Sequence, residues 1–179
     1  MEALTKLENI IIGWFKGLPH LPESIRSWLG TNMWWIALAG AILSGIAALI
    51  ALMSIFTVMA VLGSIGASYY AAATFTSWNI VTGFVSMIFS VLHIILLGLA
   101  VKPLREKQKK GWVLLFVSWL VGAVAVVVNA LLTLNALTIV PSLIFGAIGL
   151  AISGYFLFEI HGQYAHVQKS RGVKEATTK

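Results

Sequence analysis

Cysteine and aspartate are both absent from the 179-residue chain, and its only acidic side chains are six glutamates. Without thiols there can be no disulfide framework, no thiolate metal site and no covalent haem attachment. None of the glutamates lies inside a long apolar run. The chain therefore lacks the carboxylate clusters that Mg²⁺-dependent phosphoryl or glycosyl transfer in a membrane needs, and it lacks the usual intramembrane proton carrier. Charge of any sign is scarce: 10 % of residues, against roughly 25 % in an ordinary soluble domain. Hydrophobic residues make up 59 % and the mean hydropathy is +0.94, so a soluble fold would have too little polar surface to cover its core. The 12 basic residues, which leave a net charge of +6, flank apolar runs instead of forming a patch among aromatics. That pattern belongs to membrane topology and gives no reason to expect a nucleic-acid partner.

Four apolar runs predict an all-α integral membrane protein, a four-helix bundle preceded by one or two interfacial amphipathic helices. The spans are expected at about 33–62, 78–101, 112–134 and 140–158, giving a membrane domain over 33–158. Thr31 or Asn32 offers a cap for the first span, Lys102 and Pro103 close the second, and Pro141 fits the first turn of the fourth. Residues 1–32 have a different pattern. Leu4, Leu7, Ile11, Trp14 and Leu18 recur at three- and four-residue steps, while Glu2, Lys6, Glu8, Asn9 and Lys16 fall elsewhere. Gly17 and Pro19 should end this helix, and a second short one should start at Pro22 and stop at Gly30. Both are too short to span and suit the headgroup plane; the alternative is a soluble helical hairpin packed on the inner face of the bundle. Gly63 and Gly66 are expected to break the chain after the first span, and residues 67–73 to lie along the outer membrane surface or against a partner.

Lys and Arg remain on the cytoplasmic side of a membrane, and their placement sets the expected orientation. The hairpin from Lys102 to Lys110 carries five of the 12, in Lys102, Arg105, Lys107, Lys109 and Lys110. The tail over 159–179 carries Lys169, Arg171, Lys174 and Lys179, and the N-terminal segment carries Lys6, Lys16 and Arg26. With four spans these regions share one side, which places both termini in the cytoplasm of a cell whose plasma membrane the protein crosses. The five hairpin cations are also the expected contacts for anionic lipid headgroups. Trp28, Trp34, Trp35 and Trp112 should form the inner aromatic belt, with Tyr69, Tyr70 and Trp78 at the outer interface.

Small residues recur along each span, including Gly83, Gly122, Gly146 and Gly149, and such residues let helix backbones approach closely in lipid. Gly122 and Gly149 are expected at helix crossings in a tight bundle. The few embedded polar side chains sort by depth. His93, Ser118 and Ser153 fall roughly 5 Å to the cytoplasmic side of their span centres, with Ser44 near them and Ser90 one turn from His93. Asn129 falls about 10 Å to the other side, near Thr82, Gly83 and Ser142, in a second polar layer. Interhelical hydrogen bonding that fixes register is the expected role of these groups, and a proton relay or ligand contact at His93 is the alternative.

No enzyme chemistry is expected. Ser90 precedes His93 by three residues, but no span supplies an orienting acid. A single embedded histidine cannot supply two axial haem ligands, and no cofactor is expected. Glu159, His161 and His166 match no strong metal spacing, and Glu159 is expected to pair with Arg105 or Lys107. The four-span size is similar to that of claudin- and tetraspanin-like proteins and of small multidrug transporters. The cysteines of the former and the first-span glutamate of the latter are missing here. The leading expectation is a non-enzymatic scaffold or accessory subunit that associates laterally with itself or with another membrane protein. Second small-residue stripes, Gly40, Ala47 and Ser54, and Ala147, Ala151 and Gly154, motivate it. The rival is a transporter or channel for a small neutral or weakly polar solute, lined by His93 and Asn129.

Overall fold

A computed structural model describes residues 2–15, 17–65, 70–132 and 136–164, with side chains placed for 6–8, 10–15, 17–60, 80–132 and 139–164. His166 and the basic residues of the tail, together with the side chains of Leu4, Tyr69, Tyr70 and Trp78, lie outside that description. Five helices follow one another: α1 (Glu2–Phe15), α2 (Glu23–Ile65), α3 (Tyr70–Arg105), α4 (Lys109–Leu132) and α5 (Ala136–Glu159). No strand occurs among the described residues. Four helices are long and apolar enough to cross a bilayer, over Glu23–Ala60, Ile80–Arg105, Lys109–Leu132 and Ile139–Tyr164. The chain is an all-α, multi-pass membrane protein.

The first membrane helix is longer than expected. Pro22 is its N-cap, with its carbonyl accepting from the amides of Ile25 (3.0 Å) and Arg26 (3.1 Å), and the helix then runs unbroken for 43 residues. Gly30 therefore does not stop a separate short helix, and Thr31 and Asn32 do not cap a span. A glycine costs about 1 kcal/mol in a helix interior, and at this one two residues that follow α5 come close. The buried Tyr164 hydroxyl donates to the Gly30 carbonyl at 2.8 Å, and a Cβ at position 30 would run into the Gln163 side chain. Asn32 turns its amide back to the Trp28 carbonyl of its own helix at 2.9 Å. At the far end Gly63 lies inside α2, and residues 70–76 are the first turns of α3. At 1.5 Å per residue α2 and α3 reach about 64 and 54 Å, well beyond a hydrocarbon slab of roughly 30 Å, whereas α4 and α5 reach about 36 Å.

The α3–α4 hairpin is a Schellman turn. The Gln108 amide donates to the Pro103 carbonyl (2.8 Å) and the Lys107 amide to the Leu104 carbonyl (3.0 Å). Lys107 takes the left-handed position where glycine is usual, with φ 52°. Gly111 lets α4 start directly against this turn, because a Cβ there would sit 2.6 Å from the Leu104 nitrogen and 2.9 Å from the Pro103 carbonyl carbon.

Helix neighbours follow chain order. α2 packs on α3, α3 on α4 and α4 on α5, and α1 touches α5. Among the described residues no extended packing joins α2 to α5; Gly30 of α2 meets Tyr164 and Gln163, just beyond α5, at the basic end, and the bundle is open along that side. The buried core is concentrated at that same end, in Leu29, Met33, Ala100, Leu104, Trp112, Leu115, Phe116, Leu157, Ile160 and Tyr164. Elsewhere large apolar side chains such as Leu43, Leu49, Met53 and Phe145 are exposed, as a lipid-facing surface requires.

Candidate functional site

Two structures stand out: a polar, aromatic plug at the basic end, and above it a cleft between α2 and α5. The plug is built on the last turn of α5, whose final carbonyls have no partner within the helix. Trp112, fully buried, donates its indole N–H to one of them, Leu157, at 2.9 Å. Its ring stacks on Phe116 (5.4 Å between centroids) and meets the edges of Phe158 (5.8 Å) and His161 (4.6 Å). Trp112 is thus a core residue and not part of an aromatic belt, whereas Trp28 and Trp35 are exposed.

Two glutamates tie the N-terminal region to this plug. Glu8 is buried, its Oε1 accepting from His161 Nε2 at 2.7 Å, with Lys109 Nζ at 3.9 Å. The inward face of α1 is accordingly Glu8, Ile11, Ile12 and Phe15, while Leu7, Trp14 and the following Leu18 are exposed. Phe15 stacks on Phe158 at 5.2 Å. The face expected to lie in the headgroups is therefore largely free, but Ile11 belongs to the face docked on the bundle. Glu159 does not pair with Arg105 or Lys107. Its carboxylate accepts from the Leu21 amide (2.9 Å) and His20 Nδ1 (3.2 Å) and lies 3.4 Å from Arg26 Nε. The reason is proximity: Tyr155 donates to the Pro19 carbonyl at 2.6 Å, strapping residues 17–22 along the end of α5, while Arg105 turns over the Trp34 ring at 5.4 Å. Lys107 reaches Thr31 Oγ1 at 3.3 Å. Lys102 and Lys110 are exposed.

The cleft has a volume of about 570 Å³ and draws lining from all four long helices. Its floor is buried, with Leu29, Met33, Leu115, Ser118 and Leu157, and its rim is exposed, with Ile36 on α2 and Ile152 and Phe156 on α5. It therefore opens sideways, where α2 and α5 part. His93, Ser118 and Ser153 all line it. The His93 ring lies against Gly122, within 3.2 Å of where a Cβ would stand. Ser44 is half-buried and is not part of the lining.

No protein family, curated protein or solved structure matches this chain.

The second polar layer joins α3 to α4. Ser86 Oγ donates to Asn129 Oδ1 at 2.6 Å, and Asn129 Nδ2 donates to the Ala125 carbonyl at 2.8 Å. Ser90 returns its proton to the Ser86 carbonyl at 3.0 Å and makes no pair with His93. Among the glycines, Gly83 lies against Ile55 and Gly146 against Val126. Gly149 differs from expectation: nothing lies within 4 Å of where its Cβ would be, because it faces the cleft and not a helix crossing. Of the second stripes, Gly40 is used against Leu97 and Gly154 against Phe15 and Trp119, leaving Ala47, Ser54, Ala147 and Ala151 exposed. Among the described residues no three potential metal ligands come together.

Glu8, His161, Trp112 and Tyr164 were missed as a connected group. One signal was present: Glu8 shares its face with Ile11, Ile12 and Phe15 at helical spacing.

Proposed function

We propose that the protein is a non-enzymatic scaffold or accessory subunit of the plasma membrane. It associates laterally with itself or another membrane protein and holds its basic end and both termini in the cytoplasm. The observation that carries this reading is that α2 and α5 are both edge helices, each packed along its length on a single neighbour. Ala147 and Ala151 lie one turn apart on α5, on the face turned away from the cleft, and are exposed. Small residues at that spacing allow a partner helix to approach closely, which is the main source of helix association in lipid. The exposed α1 residues Leu7, Ile10 and Trp14 and the exposed Lys102, Arg105, Lys107 and Lys110 suit a headgroup layer rich in anionic lipid.

A solute path has less support. Asn129 is engaged by Ser86, and the basic end is filled by Trp112, Leu104, Ile160 and Tyr164, each at most 2 % exposed. The absence of cysteine permits a direct test. Single Ala147→Cys and Ala151→Cys variants in native membranes should form cross-linked species of defined mass under a short thiol cross-linker, and an Ile42→Cys variant on α2 should report whether the other edge is also used. Monomer at all three positions, at native expression level, would reject lateral association through the edge helices.

A further inference from the structure

The cleft contains polar groups that the fold does not use. Hydroxyls on helices buried in lipid ordinarily return their proton to the carbonyl one turn back. Ser54, Ser90 and Ser153 do so here, at 2.8, 3.0 and 2.7 Å. Ser118 does not: it is 2 % exposed on the cleft floor and its Oγ has no hydrogen-bond partner. His93 lines the same cleft against Gly122, one turn along α4 from Ser118. The other donors of the lining are already committed, Trp119 to the Leu150 carbonyl (3.0 Å) and Ser153 to the Gly149 carbonyl (2.7 Å). An unsatisfied polar group in an apolar enclosure, here the Ser118 hydroxyl, marks a place where a partner has been left out.

We propose that this cleft is a binding site for an uncharged, lipid-soluble carbonyl compound, held with its oxygen between His93 and Ser118. Three features select that chemistry. The lining contains no Lys, Arg or Glu, so a charged ligand would be desolvated without compensation. The remaining lining is almost wholly hydrocarbon and aromatic, and about 570 Å³ falls within the 300–1,000 Å³ that accommodates a compact organic ligand. A carbonyl oxygen has two lone pairs, which the imidazole N–H and the serine O–H can each fill. The route in is also defined. The floor toward the basic end is closed by Leu29, Met33 and Leu157, while the exposed rim at Ile36, Ile152 and Phe156 opens between α2 and α5. The ligand enters from the bilayer and not from water. This site lies on the face of α5 opposite Ala147 and Ala151, so it stands or falls independently of lateral association.

The test uses the whole protein in lipid nanodiscs with a decyl-substituted benzoquinone, a neutral carbonyl compound that quenches tryptophan fluorescence; Trp119 is part of the cleft wall. Quenching should contain a saturable component above the linear one caused by partitioning into lipid. Gly149→Leu puts a side chain into the cleft where nothing lies within 4 Å, and should abolish the saturable component while leaving thermal unfolding unchanged. Ser118→Ala should weaken it about three- to tenfold, the effect of one hydrogen bond to a neutral partner. Ser54→Ala, which is no part of the cleft lining, should leave it unchanged. A long-chain ketone should compete and the parent alkane should not. Purely linear quenching, a saturable component that survives Gly149→Leu, or equal competition by the alkane would each overturn the proposal.

Discussion

Gly111→Ala isolates the contact on which the α3–α4 hairpin depends. In an unstrained helix the substitution would stabilise by up to about 1 kcal/mol, because alanine is the better helix former. Here the added methyl would lie 2.6 Å from the Leu104 nitrogen and 2.9 Å from the Pro103 carbonyl carbon, while ordinary contact begins near 3.4 Å. The two obstructing atoms are backbone, fixed by the Schellman bonds at Lys107 and Gln108, so no side-chain rotation relieves the clash. Either the turn opens or α4 is displaced by several tenths of an ångström beneath the buried Trp112. Overpacking of a well-ordered contact costs about 1–3 kcal/mol, and the unyielding partner puts this case at the upper end. The net expectation is a loss of about 1–2 kcal/mol. Gly98→Ala is the matched control: it is also within a helix and exposed, with nothing within 4 Å of the new methyl, and should be neutral or stabilising by up to about 1 kcal/mol. Reversible unfolding in mixed micelles, followed by far-UV circular dichroism against mole fraction of SDS, compares the two. Equal stability of Gly111→Ala and Gly98→Ala would refute the close approach at the hairpin.

Three further outcomes follow from the same region. Lys107→Gly should stabilise by up to about 1 kcal/mol in the same assay, since φ 52° is strained for lysine and free for glycine; a clear loss would mean that the reach of Lys107 to Thr31 outweighs the strain. Glu8→Ala leaves the His161 donor without its acceptor beside Trp112, a loss of about 1–3 kcal/mol for a largely buried hydrogen bond left unmade. It should release α1 and speed protease cleavage within residues 17–22, so an unchanged cleavage rate would show that α1 docks without Glu8. Tyr164→Phe removes the bond to the Gly30 carbonyl and should cost about 0.5–1.5 kcal/mol, with no cost at all if the hydroxyl is solvated instead.

The four membrane helices were legible because an apolar run of that length has few alternatives, and the uncharged stretches between Met33 and Val101 and between Trp112 and Phe158 left little freedom in their number. What could not be read were features decided by distant partners. Gly30 carries the local signature of a helix stop, but α2 runs through it, and the residues that meet it there, Tyr164 and Gln163, are more than 130 positions away. Trp112 sits next to a basic cluster like an interfacial anchor, but the vacant Leu157 carbonyl at the end of α5 draws its N–H inward. Glu8 looked solvent-facing because amphipathic patterning assigns charge to the outside, and its acceptor role depends on His161 at the opposite end of the chain. At the cleft, spacing placed His93, Ser118, Ser153 and Ser44 near one depth, and the first three share its lining. It could not reveal that α2 and α5 part at their level, since a small residue such as Gly149 is equally compatible with a close crossing and with open space.

The central claim is that the cleft between α2 and α5 opens to lipid and is closed toward the basic end. Nitroxide labels at Ile36→Cys and Ile152→Cys on its rim, in liposomes, measure this by collision with dissolved oxygen and with a water-soluble nickel chelate. High oxygen and low nickel accessibility at both positions is the predicted result. High nickel accessibility at either would mean a water-filled path between these helices, and would contradict the account.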